Sequence, residues 1–171
     1  MAAQGALQSA AGSTNILNSN GYGTNVNSNM LGAQFGLAYS MLSLQLGYNN
    51  IWGSTDGYAQ GGLISPYTYQ YATDPLYTTG WVVGMVERSS GQAYKVSPSL
   101  SLLDDNLVIT PSYEYFATTY IPSSNEYDVQ ISYSLPQVKG LTFFGGYGYL
   151  TNADDQGNGY YLGQLMVSYL Y

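Results

Sequence analysis

Acidic side chains are the groups in this chain with the clearest capacity for chemistry. Paired carboxylates occur at Asp104-Asp105 and at Asp154-Asp155. Both pairs stand in polar segments typical of turns, so we interpret them as solvated turn residues, with a weak Ca²⁺ site at Asp154, Asp155 and Asn158 as the alternative. The chain has no His and no Cys, which removes the usual general base and the thiolate nucleophile. We therefore predict that the protein is not an enzyme, and we assign no catalytic residue, metal site or cofactor.

A second set of polar side chains falls at every other position of segments that are otherwise apolar. The clearest case is residues 126–135, where Tyr127, Val129, Ile131, Tyr133 and Leu135 alternate with Glu126, Asp128, Gln130, Ser132 and Ser134. This period of two predicts a strand with one apolar and one polar face. We interpret the following polar residues as channel-lining: Lys95, Glu114, Glu126, Asp128 and Gln130. The alternative is that they pair across strands only to satisfy a polar interior.

Composition limits the class of protein further. Charged residues make up 8% of the 171 residues, against about 25% in ordinary soluble domains. The chain is also rich in Tyr (20) and Gly (21), and the amphipathic Tyr ring suits the level of lipid headgroups. With a net charge of −7 and three basic residues, nucleic acid is not an expected partner.

Alternation recurs along the chain and predicts an all-β, antiparallel, up-and-down arrangement of about seven or eight strands. Residues 1–29 are rich in Ala, Asn and Ser and are interpreted as a weak strand and a loop. Residues 30–171 contain the remaining strands, which we place at 30–39, 42–51, 92–103, 107–117, 126–135, 141–150 and 159–171. A long loop is expected at about 53–91.

The last strand carries the most specific pattern. Its apolar face reads Tyr161, Gly163, Leu165, Val167, Tyr169 and Tyr171. An aromatic-ended terminal strand of this kind resembles the closing strand of bacterial outer-membrane β-barrels, whose assembly machinery reads such an end. The resemblance implies a membrane-interface and assembly role for Tyr169 and Tyr171. A soluble sandwich ending on an amphipathic strand is the alternative.

The barrel interpretation also constrains the long loop. If the C-terminus lies on the periplasmic side, short periplasmic turns and long outer loops alternate only when residues 76–87 do not cross the membrane. These residues alternate like a strand, through Tyr77, Thr79 and Trp81. We therefore predict that 76–87 is β-like but belongs to an outer or constriction loop.

Three segments, at residues 31–39, 42–49 and 139–149, resemble the C-terminal part of OprD-type outer-membrane porins. The resemblance implies a transmembrane β-barrel larger than this chain, with passive uptake of small solutes through a channel lined by a ladder of basic residues. Here only Arg88 and Lys95 are placed to belong to such a ladder within strands. Because the inward residues Glu114, Glu126 and Asp128 outnumber Lys95, we expect weak cation preference instead of anion preference if the chain conducts.

The leading functional prediction is a porin, or the C-terminal part of one, in the bacterial outer membrane. Its expected partners are outer-membrane lipid, small solutes or ions, the barrel-assembly machinery and further copies of the chain. Two alternatives remain open: a small non-conducting barrel that serves as an anchor or adhesin, and a secreted Tyr/Gly-rich β-structural protein. The chain is either part of a larger barrel, which we favour, or a complete small one.

Overall fold

The strands of the chain build one antiparallel sheet. A computed structural model describes residues 1–9, 26–64, 76–85, 88–153 and 156–171. The eight strands are β1 (Ala2–Ser9), β2 (Asn27–Tyr39), β3 (Leu42–Gly53), β4 (Gly91–Leu102), β5 (Leu107–Thr118), β6 (Ser124–Ser134), β7 (Leu141–Leu150) and β8 (Tyr160–Tyr169). They pair in chain order from β1 to β8. The predicted all-β, up-and-down topology is therefore confirmed.

Strand bounds follow the alternation closely, with differences at both ends of the chain. β2 begins at Asn27 instead of residue 30, and β1 is a regular strand of eight residues. Polar side chains such as Asn27 and Ser28 do not prevent pairing, because the ladder uses main-chain groups that every residue except Pro supplies. β8 ends at Tyr169, so Tyr171 lies beyond the last strand.

The sheet is not closed into a barrel within the described residues. β1 pairs only with β2, and β8 pairs only with β7, so these strands form the two edges. Outside the strands, the helical structure among the described residues is one short 3-10 turn at Tyr58–Gln60. No helix in this part of the chain is long and apolar enough to cross a membrane.

One face of the sheet, here called the apolar face, carries exposed apolar side chains on every strand from β2 to β8. Large members of this set are Leu31, Phe35, Leu37, Leu46, Tyr94, Val96, Tyr113, Tyr127, Ile131, Phe143, Tyr147, Leu165 and Val167. Aromatic residues pair directly across neighbouring strands, as Tyr113 does with Tyr127 at a ring-centroid distance of 5.3 Å. Such cross-strand pairs stabilise the sheet without covering its face.

The opposite face, here called the loop face, is covered by the connection between β3 and β4. Met30, Ile51, Ala93, Phe116 and Leu150 from the strands form one buried cluster with Leu63, Leu76 and Met85 from the connection. Residues 76–85 form no strand, and residues 86 and 87 lie outside the described residues. The alternation at 76–85 therefore does not reflect pairing in the sheet, because its main chain bonds to side chains of the loop face instead.

Candidate functional site

Strand register brings the charged side chains of three neighbouring strands together. Lys95 of β4 lies opposite Glu114 of β5, and Glu114 lies opposite Glu126 of β6. Asp128 stands two residues further along β6, so it shares the face of Glu126. Gln130 follows on the same face and is half-buried, opposite Gly146 of β7. The structure thus gathers Lys95, Glu114, Glu126 and Asp128 into one cluster, with Gln130 at its side.

The carboxylates of this cluster are withdrawn from solvent. Glu114 and Glu126 are 0% exposed and Asp128 is 6% exposed. Lys95 Nζ lies 2.9 Å from Glu114 Oε1 and also donates a hydrogen bond to the carbonyl oxygen of Thr79 at 2.5 Å. Lys95 therefore joins the strand carboxylate to the connection above it.

Main-chain donors of the connection point at the carboxylates of β6. The N–H of Trp81 donates to Asp128 Oδ2 at 2.8 Å. The N–H groups of Val82 and Val83 donate to the two oxygens of Glu126, the second at 3.0 Å. A buried N–H group that lacks an acceptor costs about 1–3 kcal/mol, so these hydrogen bonds stabilise the contact. Glu126 and Asp128 thus hold residues 81–83 against the sheet.

Two carboxylate oxygens of the cluster remain without a donor. Glu114 Oε2 and Asp128 Oδ1 accept no hydrogen bond from any described residue, although both atoms are buried. One oxygen each of Glu114, Glu126 and Asp128 lies within 4.8 Å of the others. Buried polar groups are rarely left unpaired in native proteins. Chemically, the cluster is suited to attract and hold positive charge.

A second set of polar side chains holds the connection at the other end of the sheet. Asn49 Oδ1 accepts hydrogen bonds from the N–H of Thr78 at 3.2 Å and from its hydroxyl at 3.1 Å. Gln4 Oε1 accepts from the N–H of Tyr77 at 3.0 Å and from Asn49 Nδ2 at 3.0 Å. Gln8 exchanges two hydrogen bonds with the main chain of Ile64, at 2.7 and 2.9 Å.

Sequence reasoning did not identify Gln4, Gln8 or Asn49 as site residues. Gln4 and Gln8 lie in a segment that we interpreted as only a weak strand, and Asn49 lies between Tyr48 and Asn50 near the end of a predicted strand. The available signal was the even spacing of Gln4 and Gln8, which places both on one face of a strand. Their partners in the connection are mainly main-chain groups, which carry no signature in the sequence.

Glycine residues in β7 let the connection approach the sheet closely. A Cβ atom added to Gly146 would lie 2.5 Å from the ring of Trp81. A Cβ atom added to Gly148 would collide with the Asp128 carboxylate. The ring of Trp81 also packs on Phe144, with ring centroids 5.5 Å apart. Small residues at these positions are therefore required by the docked connection.

Arg88 differs from the prediction that it belongs to a basic ladder within the strands. It lies in the connection, with its guanidinium carbon 5.6 Å from the ring centroid of Phe116. Its Nη1 donates to Ser124 Oγ at 3.4 Å. Burial lowers the pKa of Arg88 from its ordinary value, while the charge of Glu126 acts in the opposite direction. Of the two basic residues predicted to belong to a ladder within the strands, Lys95 lies in a strand and Arg88 does not.

The residues assigned to a membrane interface stand apart from this cluster. Tyr169 ends β8 opposite Leu141, and both Tyr169 and Tyr171 are exposed. Asp104 and Asp105 lie in the exposed turn between β4 and β5, which agrees with their interpretation as solvated turn residues. The other paired carboxylates, Asp154 and Asp155, lie outside the described residues.

Comparisons of the chain with family models, with curated proteins and with solved structures found no match. The resemblance to OprD-type porins therefore stays a prediction. The two faces of the sheet and the carboxylate cluster beneath the connection are the structural features that bear on function.

Proposed function

We propose that the chain forms wall strands of an outer-membrane porin that lets small hydrophilic solutes diffuse passively. In this proposal the apolar face meets lipid and the loop face lines the water-filled interior. The described parts of the connection, residues 54–64, 76–85 and 88–90, narrow that interior. The observation that carries the proposal is the contrast between a bare apolar face on β2–β8 and a polar face to which a long connection is bonded.

The apolar face supports a lipid environment by its extent. Soluble monomers rarely expose a continuous apolar patch larger than a few hundred Å². Here exposed apolar residues continue across neighbouring strands, from Leu31 on β2 to Leu165 on β8. Exposed tyrosines of the apolar face also stand at strand ends, as Tyr39 and Tyr169 do. Apolar bands flanked by aromatic residues are typical of transmembrane barrels.

The loop face supports a barrel larger than eight strands. In a bilayer the free edges of β1 and β8 have to pair, because unpaired main-chain groups are too costly in hydrocarbon. The interior of an eight-stranded barrel is just wide enough for its own side chains. This sheet also holds Leu63, Leu76 and Met85 of the connection on the same face. Closing the sheet into a barrel around the connection therefore requires additional strands, either from further chain or from further copies of this chain. This requirement favours a porin over a small non-conducting anchor.

The charges on the loop face set the expected selectivity. Three carboxylates stand close to Lys95, with Arg88 nearby in the connection. Rings of charged side chains determine which ions a pore prefers. While no cation is bound to these carboxylates, the excess negative charge at the narrowed part of the interior should produce a weak preference for cations.

Reconstitution tests the proposal directly. The protein is extracted or refolded in detergent, its gel mobility is compared with and without heating, and its conductance is then measured in planar bilayers under a KCl gradient. We expect heat-modifiable mobility, stepwise conductance and a reversal potential on the cation side. Folded protein in water without detergent would overturn the proposal in favour of a secreted β-structural protein. Heat-modifiable protein without conductance would instead identify a non-conducting anchor.

A further inference from the structure

We propose that Glu114, Glu126 and Asp128 form a binding site for a divalent cation of the Ca²⁺ type, between strands β5 and β6 and the connection. The site goes beyond passive diffusion, because it assigns a resident ion to the wall. It rests on side-chain geometry in the folded chain and does not require that the protein conducts.

The spacing of the ligand atoms fits one ion of this size. An oxygen of each carboxylate lies within 4.8 Å of an oxygen of the other two. Ca²⁺ binds oxygen at about 2.3–2.6 Å, so two oxygens on the same ion can stand up to about 4.6–5.2 Å apart. Carboxylate oxygens are the ligands that this hard cation prefers.

Unpartnered buried oxygens point to a ligand independently of the spacing. Glu114 is 0% exposed and its Oε2 accepts no hydrogen bond from the described residues. Asp128 is 6% exposed, and its Oδ1 likewise has no donor in the described part of the chain. Both side chains belong to the carboxylate cluster, so a cation bound there would bring positive charge close to these oxygens.

The ligand set favours Ca²⁺ over other metal ions. The three carboxylates supply oxygen ligands, and a divalent cation bound among them would favour their ionised form. The absence of His and Cys from the chain disfavours zinc and other transition metals, which prefer nitrogen and sulfur ligands. Mg²⁺ fits less well because it gives up its water shell reluctantly.

An ion at this place would also strengthen the attachment of the connection. Glu126 and Asp128 already accept hydrogen bonds from the main chain at residues 81–83. Each carboxylate oxygen has more than one lone-pair direction, so it can bind a cation while it accepts a hydrogen bond. Removing the ion would leave the carboxylates to repel one another directly beneath residues 81–83.

Ion binding to the folded protein in detergent, after treatment with a chelator, tests the site. Two measurements are made: equilibrium dialysis with radioactive Ca²⁺, and Tb³⁺ luminescence excited through Trp81, whose main chain contacts Asp128. We expect one ion per chain, with Ca²⁺ displacing Tb³⁺. The variants Glu114→Gln and Asp128→Asn should each weaken binding by at least about tenfold.

Asp104→Asn serves as the matched control, because it also removes one negative charge but lies in an exposed turn. It should leave the affinity unchanged. Wild-type protein that binds no Ca²⁺, or equal affinity in all three variants, would overturn the site. Heat-modifiable gel mobility shows which variants have folded, and the wild-type result decides the question even if a variant does not fold. Since binding is measured without conductance, failure of this site and failure of the porin proposal are separate outcomes.

Discussion

Adjacent residues of β6 meet opposite environments, depending on which face of the sheet they occupy. Tyr127 and Ile131 on the apolar face are 51% and 43% exposed. Glu126 and Asp128 on the loop face are 0% and 6% exposed. In soluble proteins charged residues are almost never this buried, while large apolar residues fill the core. This inverted order is what we expect if the apolar face meets lipid, as we propose.

The two faces also differ in how their side chains are satisfied. On the apolar face, side chains contact neighbours across strands, as Tyr48 does with Tyr94 at a ring-centroid distance of 5.2 Å. On the loop face, buried carboxylates accept hydrogen bonds from main-chain N–H groups of another segment. Burying a charge is tolerated when it is paired and hydrogen-bonded. Side chains of the apolar face thus find their partners on neighbouring strands, whereas buried carboxylates of the loop face need the docked connection to supply hydrogen-bond donors.

The largest expected effect comes from charging the apolar face. Ile131→Arg should destabilise the protein in lipid by about 2–4 kcal/mol, because the charge would lie in hydrocarbon. Gln130→Arg, one residue away on the loop face, should cost far less. The comparison is made by urea unfolding of both variants in lipid vesicles. An equal loss of unfolding free energy in the two variants would show that the two faces of the sheet are assigned wrongly.

Loosening the connection should have the next largest effect. Glu126→Ala removes the acceptor for the N–H groups of Val82 and Val83, and a buried donor that loses its partner costs about 1–3 kcal/mol. We expect faster proteolysis within residues 76–85 and a larger single-channel conductance. Asp104→Ala in the exposed turn is the control and should behave like the wild type. Unchanged cleavage in Glu126→Ala would show that Glu126 does not hold the connection.

Adding a methyl group to either face of β7 tests the contrast more finely. Gly146→Ala would place a Cβ atom 2.5 Å from the Trp81 ring, whereas the nearest atom to a Cβ at Gly145 is 3.8 Å away. Overpacking of this kind costs about 1–3 kcal/mol. Gly146→Ala should therefore lower stability and shift the Trp81 fluorescence, while Gly145→Ala changes neither. Two equally stable variants would mean that the connection does not rest on β7.

The smallest effect on folding is expected at the end of the chain. Tyr171 is fully exposed and lies beyond β8, so its deletion should hardly change refolding into detergent. If the resemblance to outer-membrane closing strands is correct, assembly in cells should decline strongly. Outer-membrane yield and refolding yield are measured side by side. If outer-membrane yield and refolding yield decline to the same extent, Tyr171 acts only through packing and is not read during assembly.

Alternation in the sequence was enough to place the strands and to separate their two faces. Residues 42–51, 107–117 and 141–150 were predicted close to the observed bounds, and Glu126 and Asp128 were assigned to the face opposite Ile131. These features are local, because successive side chains of any extended segment point to opposite faces. The segment before residue 30 was predicted less well, since its pairing depends on neighbouring strands more than on its own side chains.

Only the tertiary structure decided what covers the polar face. Register set Glu114 directly opposite Glu126, and register follows from pairing across the whole sheet. The connection docks through main-chain N–H groups at residues 81–83, and these groups are the same in nearly every sequence. No pattern of residue types could therefore have shown that Glu126 and Asp128 would be buried beneath the connection. Side-chain chemistry determined which residues lie on the apolar face and which lie on the loop face. Main-chain pairing and main-chain hydrogen bonds determined that the carboxylates meet in one cluster beneath the connection.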